Sequence, residues 1–555
     1  MRRNVAGRAA AVLTAGALVA VAGCASERDD TGGGTGEGGD GGTFVFAASS
    51  DPVVLDPAFA SDGETFRVAR QIFEGLVGTE PGTADPAPLL AESWESTDDG
   101  LSYTFDLREG VTFHDGTVFD AAAVCFNFDR WYGWTGLTQN ENISYYYNNL
   151  YQGFAESEDP ERVGGLYESC TVDDEQTATV TLTRPFAGFI ASLSLPAFSM
   201  QSPTALEEYD ADNLEGDADD VRFSAYGTEH PTGTGPFVFD SWQRGQSVTL
   251  SPYPDYWGDV AQLDSVVIQT ISDGNARRQA LEGGTIDGYD LVAPGDIDAL
   301  EAAGFQIEDR DPFNLLYLGI NQAVPELADP LVREAIAHAI DKDAVISQSM
   351  PEGSTVATQF MPEIVTGWSP DVETYEYDPD RARELLAEAG QSDLTIDFVY
   401  PTGVSRPYMP NPEDSFVAMR SQLEAVGITV NPVALPWSPD YLDRVIGSAD
   451  HGLHLLGWTG DYNDPDNFVG VFFGTQSDEW GFDNPELFAA LAAARELPSE
   501  EEQGTAYEAI NQQVMEFLPG IPIASPVPSL AFAERVSGYE PSPVQDEVWN
   551  GVTVS

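Results

Sequence analysis

The chain has 555 residues, and its 24 Lys and Arg against 92 Asp and Glu give a net charge of −68. A surface this negative repels phosphate, which argues against nucleic acid as a partner. The only lysine, Lys342, lies between two aspartates, so a P-loop is excluded because it needs lysine before Ser or Thr. Hydrophobic residues make up 42% of the chain, which is enough to bury large cores and excludes global disorder.

The N-terminus has the pattern of a lipoprotein secretion signal. Three arginines within the first eight residues precede an apolar stretch at 9–22, which is shorter than a membrane span of ~20 residues. The sequence VAGC at 21–24 then reads as a lipobox, in which Cys24 becomes lipid-modified after removal of residues 1–23. The alternative is an ordinary signal peptide with a cysteine there by chance.

Residues 24–42 predict a flexible tether. After Cys24 the sequence ASERDDTGGGTGEGGDGG is rich in glycine and has no apolar residue that could pack in a core. We therefore expect a folded body that is anchored to the membrane by lipid and displayed on its extracytoplasmic face.

Two cysteines remain, Cys125 and Cys170. In an oxidising compartment an even pair predicts a disulfide, whose 45-residue separation would stabilise the fold by about 4 kcal/mol on the chain-entropy model. Two buried free thiols are the alternative. A zinc site is not indicated, because the sequence has no Cys-x-x-Cys.

From residue 43 onward, short strand patterns alternate with amphipathic helix patterns. Strands are predicted at 43–48, 103–107, 177–182 and 394–399. Helices are predicted at 66–77, 331–340, 381–389 and 415–426. This mixed order predicts an α/β fold with two or more sheet-based lobes.

Four segments of the sequence form a recognisable set by their order and spacing. They are LAESWE (90–95) with YTFDLREGVTFHDGT (103–117), GTGPF (233–237) with PDYWG (254–258), DPLVREAIAHAID (329–341) and GWTGDYNDPDNF (457–468). Together they resemble the extracytoplasmic solute-binding proteins of peptide and nickel ABC transporters, the family of the dipeptide- and oligopeptide-binding proteins. The resemblance covers about residues 43–540.

The resemblance implies a two-lobe, periplasmic-binding-protein-like α/β fold with the ligand in the cleft between the lobes. Lobe one is expected at 43–311 with a C-terminal return at 522–555, and lobe two at 312–521. A ligand that touches both lobes stabilises the closed state, which a membrane permease then recognises. The expected partners are a short peptide, a permease and ATPase subunits. The protein is expected to be a monomer without cofactor or catalytic activity.

By resemblance to the peptide-binding members, Asp461 would pair with the α-ammonium of a peptide. Such a charge-assisted contact is worth roughly 1.5–3 kcal/mol. The main chain at Gly457 and Thr459 would pair with the peptide amides in the manner of a strand, and Trp458 would either line the pocket or pack in the core. The alternative is that 461–465 is only a loop with Asx-turn chemistry.

Arg406 lies in SRPYMPNP (405–412), which is similar to a stretch of dipeptide-binding members whose arginine pairs with the ligand's C-terminal carboxylate. A planar guanidinium suits this bidentate contact. Two extended residues span about 7 Å, so an aspartate and an arginine on opposite sides would measure peptide length. The alternative is a surface arginine paired with one of the many acids.

The segment DPVVLDP (51–57) resembles a lobe-one loop whose backbone lines the pocket, which makes Val53 and Val54 candidate contacts; apolar packing near a turn is the alternative. Five histidines raise the question of a metal. His451 and His454 have a usable spacing, but their rings need not converge, and we expect no metal site.

Other functions stay open at this point. The same fold could bind a non-peptide solute, such as a nickel chelate, haem or an oligosaccharide. A surface signalling or adhesion lipoprotein without a transporter is a further alternative. The catalytic motifs Gly-x-Ser-x-Gly and Ser-x-x-Lys are both missing from the sequence.

Overall fold

The structure is a computed structural model that describes residues 41–157, 159–218 and 220–555. The predicted signal at 1–23, Cys24 and the tether up to residue 40 lie outside these residues. Among the described helices, none combines the length and apolar character needed to cross a membrane.

A seven-stranded mixed sheet, the first sheet, forms the base of lobe one. Its strands in spatial order are Phe237–Gln243, Ser247–Pro252, Ser265–Thr270, Thr43–Ala48, Gly288–Asp290, Ser529–Phe532 and Gln306–Asp309. Phe44 and Phe46 alternate along their strand, both are fully buried, and both rings lie 5.3 Å from the ring of Trp549. The last residues of the chain therefore help to close the core of lobe one.

A second core of lobe one surrounds a four-stranded antiparallel sheet, the third sheet. Its strands in spatial order are Ala91–Ser96, Ser102–Leu107, Thr177–Leu182 and Tyr167–Val172. A disulfide joins Cys125, in the helix Ala121–Tyr132, to Cys170 in the strand Tyr167–Val172. The bond ties this helix to the face of the sheet on which it packs.

Lobe two is built on a six-stranded sheet, the second sheet. Its strands in spatial order are Thr355–Val356, Gly520–Ser525, Asn314–Ile320, Leu453–Thr459, Thr395–Thr402 and Thr429–Pro436. Every residue of Asn314–Ile320 is buried, because this strand is central and helices cover the sheet.

Nine helices of eight or more residues are described, and each follows an Asp, Asn or Ser whose side chain accepts a hydrogen bond from the first turn. They are Gly63–Ile72, Ala121–Tyr132, Gly274–Glu282, Pro330–Ala339, Lys342–Ser349, Pro379–Glu388, Pro412–Ala425, Pro485–Arg495 and Glu500–Phe517. These N-caps explain why helices start where they do in so acidic a chain. Shorter helices include Tyr145–Tyr151, Phe189–Ser192, Pro203–Glu208, Ile297–Ala302 and Val469–Phe473.

The elements predicted from the sequence are confirmed with small shifts at their ends, except at 66–77. That helix runs from Gly63 to Ile72, and Val77–Thr79 is a short strand paired with Pro86–Pro88. Phe73 is already extended, and a Cβ at Gly75 would lie 2.7 Å from the carbonyl oxygen of Leu193. The close approach of another segment therefore bends the chain where the apolar pattern alone continues a helix.

The chain crosses between the lobes twice, at 310–313 and at 526–528. The two crossings lie side by side, since the Arg310 N–H donates to the Pro528 carbonyl at 2.9 Å and the Asn314 side chain donates to the Pro526 carbonyl at 3.0 Å. Gly520–Ser525 pairs with Asn314–Ile320 in the second sheet. Residues 522–525, which were expected in the return to lobe one, therefore belong to a buried strand of the second sheet.

Candidate functional site

A cavity of about 430 Å³ lies between the lobes. Lobe one contributes the helix Tyr145–Tyr151 to its wall, and lobe two contributes residues of the segments 458–475 and 491–495. A molecule that fills the cavity therefore contacts both lobes at once.

Asp461 lies in the wall of this cavity and is held by neutral groups. Its N–H donates to Oδ1 of Asn467 at 2.8 Å, and the Asn467 amide donates back to Asp461 Oδ2 at 3.3 Å. The hydroxyl of Tyr146, from lobe one, faces the same carboxylate and helps to lower its pKa. Burial raises the pKa of Asp461 to about 6, while these hydrogen bonds and the more distant charge of Arg70 oppose the rise. Within the described part of the chain, no cation forms an ion pair with it.

Trp458 also lines the cavity and is half-buried. Its indole N–H points toward Asn467 Oδ1 at 3.4 Å, and its ring lies 6.4 Å from that of Phe472 in the lobe-two core. One side of Trp458 therefore forms the cavity wall, and the other side packs against the core.

Arg406 lies outside the residues that line the cavity, in a tight turn in which Arg406 and Met409 exchange main-chain hydrogen bonds at 3.1 and 2.9 Å. Its guanidinium carbon lies 4.7 Å from the ring centre of Trp437. Its Nε is buried without a hydrogen-bond partner. Among residues 41–157, 159–218 and 220–555, no carboxylate pairs with this guanidinium, although the chain has 92 acids. The alternative of an ordinary surface ion pair therefore does not describe it.

Gly457 connects the turn of Arg406 to the strand that leads to Asp461. A Cβ at this position would lie 2.3 Å from the Leu315 carbonyl oxygen and 2.4 Å from Cδ2 of Tyr408. Only glycine allows the ring of Tyr408 to pack directly on the strand Leu453–Thr459. Thr459, at the end of that strand, has a buried hydroxyl without a hydrogen-bond partner. Neither Gly457 nor Thr459 lines the cavity itself.

Val53 and Val54 lie in lobe one and also outside the cavity lining. The side chain of Val54 is fully buried, whereas that of Val53 is 56% exposed. The Val53 N–H donates to the Thr65 hydroxyl at 2.9 Å. Packing in the core thus accounts for the side chain of Val54, and only its main chain is left for a ligand.

Sequence reasoning missed the lobe-one half of the cavity. Tyr145 and Tyr146 face Asp461, and the run of three tyrosines at 145–147 was the available signal. Asn467, which holds both Asp461 and Trp458, stands in the GWTGDYNDPDNF motif but received no role. Arg495 was not predicted, because a single arginine at the end of an alanine-rich helix forms no recognisable motif.

The two histidines with metal-compatible spacing pack against each other, with ring centres 4.9 Å apart. His454 lies 3.2 Å from Oε1 of Glu479, and His451 lies against the side chain of Asn321. Burial lowers the pKa of His451 to about 3, so the ring is neutral at physiological pH. Within the described residues, no group of three or more His, Cys, Asp and Glu side chains is placed to hold a metal ion.

Comparison with known proteins identifies the family. The model of the bacterial extracellular solute-binding proteins, family 5, matches residues 85–480. The chain belongs to this family. The resemblance drawn from the four segments is confirmed, and members of the family bind solutes and in general are not enzymes.

Relatives of this family 5 protein match most of its length. Heme-binding protein A of Haemophilus influenzae is 31% identical over 527 residues, with 92% of each chain covered. The dipeptide-binding protein of Escherichia coli is 30% identical over 449 residues, covering 79% of this chain and 80% of that protein. The structure of a dipeptide-binding protein from Pseudoalteromonas sp. SM9913 in complex with Met-Leu matches with a TM-score of 0.77 and 25% identity, over 92% of this chain and all of that one. The two-lobe α/β fold is thereby confirmed.

Proposed function

We propose that this family 5 protein captures dipeptides or other short peptides between its lobes and delivers them to an ABC permease driven by ATPase subunits. The observation that carries the proposal is Asp461, a carboxylate in the interlobe cavity that no cation of the described residues pairs with. The α-ammonium of a peptide supplies the missing charge, and lobe closure shields the contact from water.

Arg406 provides the positive group for the other end of the peptide, and we call Asp461 and Arg406 the two poles of the site. Its guanidinium lies against Trp437 and lacks a carboxylate partner within the described residues, so it is available for a peptide's terminal carboxylate. Its turn packs on Gly457 through Tyr408, four residues before Asp461 in the chain. Both poles are therefore positioned by the same strand of lobe two.

The main chain between the poles is suited to an extended peptide. On one edge the strand Leu453–Thr459 pairs with Asn314–Ile320 along its full length. On the other edge, pairing with Thr395–Thr402 involves only Leu453 and His454 within the described residues. Main-chain groups of Gly457 and Thr459 on that edge can pair with peptide amides, which gives affinity without side-chain selectivity.

Two further features belong to the proposal. Cys24 is the site of lipid attachment, and the tether up to residue 42 lets an otherwise monomeric body reach solutes outside the cell. Lobe one comprises residues 43–309 and 529–555, and lobe two comprises 314–525. The dipeptide-binding relatives support the ligand class, and the family description supports the extracytoplasmic location.

Haem is the second ligand to consider, because the heme-binding relative is 31% identical over 92% of the chain. Thermal-shift and calorimetric titrations of the purified protein distinguish the peptide assignment from the haem assignment. The ligands tested are a panel of dipeptides, a tripeptide, a pentapeptide and hemin. We expect dipeptides to raise the melting temperature, since a ligand bound only by the folded state stabilises it. Stabilisation by hemin alone would overturn the peptide assignment.

A further inference from the structure

Arg495, the last residue of the helix Pro485–Arg495, contacts both lobes. In lobe two its Nη1 lies 3.0 Å from Oδ2 of Asp466. In lobe one its Nη2 donates to the carbonyls of Asn149 and Leu150 at 2.8 and 3.3 Å. Its guanidinium carbon also lies 4.9 Å from the ring centre of Phe186. One side chain therefore bridges the cleft and forms part of the cavity wall.

The lobe-two end of this bridge is buried and lies next to the residue that holds Asp461. Asp466 accepts a further hydrogen bond from the hydroxyl of Tyr507 at 3.0 Å. Asp466 is 5% exposed, so its contact with Arg495 is shielded from water. The next residue, Asn467, is the one that holds Asp461.

The lobe-one end also leads to the ligand site. The carbonyls of Asn149 and Leu150 belong to the last turn of the helix Tyr145–Tyr151, where carbonyls lack partners within the helix and a cation is favourable. The first turn of the same helix carries Tyr145 and Tyr146, which face Asp461. A shift of this helix would move Tyr146 away from the carboxylate.

We infer that Arg495 is a positioning residue of the ligand site, which holds Tyr146 of lobe one over Asp461 of lobe two and thereby slows ligand release. This inference rests on the proposed function for the identity of the ligand. In the ligand-free protein, Arg495 stabilises the arrangement of the lobes in which it contacts both of them.

The chain offers a matched control in Arg184. This residue also bridges the lobes, since its Nε lies 3.0 Å from Oε1 of Glu496 in lobe two. Glu496 is 53% exposed at its side chain, so water and salt screen this pair. Arg184 is also outside the cavity lining, and it donates to Gln152 rather than to main-chain carbonyls of the helix.

The test compares Arg495→Gln, Arg495→Lys and Arg184→Gln with the parent in two measurements. The first is the distance between fluorophores placed on the two lobes of the ligand-free protein. The second is the dissociation rate of a dipeptide measured by stopped flow. For Arg495→Gln we expect a larger open population and dissociation about tenfold faster, with the association rate changed by less than about twofold. Arg184→Gln should match the parent.

Arg495→Lys should dissociate more slowly than Arg495→Gln but faster than the parent. The lysine keeps the charge next to Asp466, but its single ammonium group cannot donate to both carbonyls as a guanidinium does. If Arg495 only stabilised the fold, Arg495→Gln would lower the melting temperature without speeding dissociation more than it changes the association rate. Equal lobe distances and equal dissociation rates in Arg495→Gln and the parent would overturn the inference. If the parent binds no dipeptide, the proposed function fails, whereas the lobe-distance measurement still decides the role of Arg495.

Discussion

Buried charges in the two lobes follow opposite rules. In lobe one, Asp290 accepts from Arg67 at 2.7 Å and from Arg310 at 2.8 Å. These two cations hold the pKa of Asp290 well below its usual value, although burial alone would raise it. In lobe two, Asp461 has only neutral donors, and burial raises its pKa to about 6. The first carboxylate is neutralised within the protein, whereas the second has no cationic partner among the described residues, as the proposed ligand contact requires.

The arginines show the same contrast. Arg310 is 1% exposed and bonds both Asp290 and Glu547, so its charge is neutralised within the core. Arg406 has an aromatic ring beside it and no carboxylate partner within the described residues. A chain with so many acids could easily have paired this arginine. Within the described residues, this lack of ion pairs separates the two proposed ligand contacts, Asp461 and Arg406, from the buried network of Asp290 and Arg310.

The largest expected effect is the loss of a structural charge. Arg310→Met leaves Glu547 buried without its cation, so we expect the free energy of unfolding to fall by about 3–5 kcal/mol. Urea denaturation measures this change. Arg278→Met removes a half-exposed cation paired with Glu282 and Asp296, which water and salt screen, and should leave the free energy of unfolding nearly unchanged. Similar losses in both variants would contradict the structural role of the buried network.

Asp461→Asn should lower ligand affinity and leave stability intact, whereas Arg310→Met lowers stability. We expect the dissociation constant for a dipeptide to rise by about 10- to 100-fold, while the ligand-free protein is no less stable, because an amide avoids burying a charge. Calorimetry and thermal unfolding measure the two quantities. Asp464→Asn is the matched control, since this buried carboxylate of the same loop is outside the cavity lining and should leave affinity unchanged within about twofold.

Arg406→Gln should weaken binding of free-acid dipeptides by about tenfold and leave binding of C-terminally amidated dipeptides nearly unchanged, because only the former present a carboxylate. Arg244, whose guanidinium carbon lies 3.9 Å from the ring centre of Trp242 in lobe one, is the control arginine stacked on a tryptophan. Arg244→Gln should leave both affinities as in the parent. Equal loss for free acids and amides in Arg406→Gln would refute the carboxylate contact.

The smallest expected effect is a pH dependence of affinity. If Asp461 binds the α-ammonium as proposed, dipeptide binding requires the charged form of Asp461, whose pKa in the ligand-free protein is about 6. The affinity should therefore fall as the pH drops through this value, by about fourfold at pH 5.5, with proton release on binding. Calorimetry in buffers of different ionisation enthalpy measures the released proton. An affinity that is flat between pH 5 and 8 would argue against this assignment.

Protonation of Asp461, which should weaken ligand binding, should stabilise the ligand-free protein. The folded pKa of Asp461 lies above the ordinary value of 3.8, so the folded state binds the proton more tightly than the unfolded state. The stabilisation is fully present below pH 3.8 and is lost as the pH rises through about 6. Asp461→Asn should lack this part of the stability profile, which thermal unfolding across this pH range can show.

Much of the fold was predictable from residues near each other in the chain. Helix starts follow from capping side chains, such as Asp378 and Asn411, that bond residues two or three positions later. Strands such as Thr177–Leu182 follow from alternating burial. The end of the helix Gly63–Ile72 was not predictable, because the bend after it depends on the carbonyl of Leu193, more than a hundred residues away.

The sequence by itself determined the family, the two-lobe α/β class and the candidates Asp461, Trp458 and Arg406, because these rest on local motifs. Only the tertiary structure decided which of them share a cavity, that Tyr146 of lobe one faces Asp461, and that Arg495 joins the lobes. The physical reason is that neutralisation and burial depend on neighbours in space. A carboxylate in the chain looks the same whether an arginine distant in sequence will cover it, as at Asp290, or leave it open, as at Asp461.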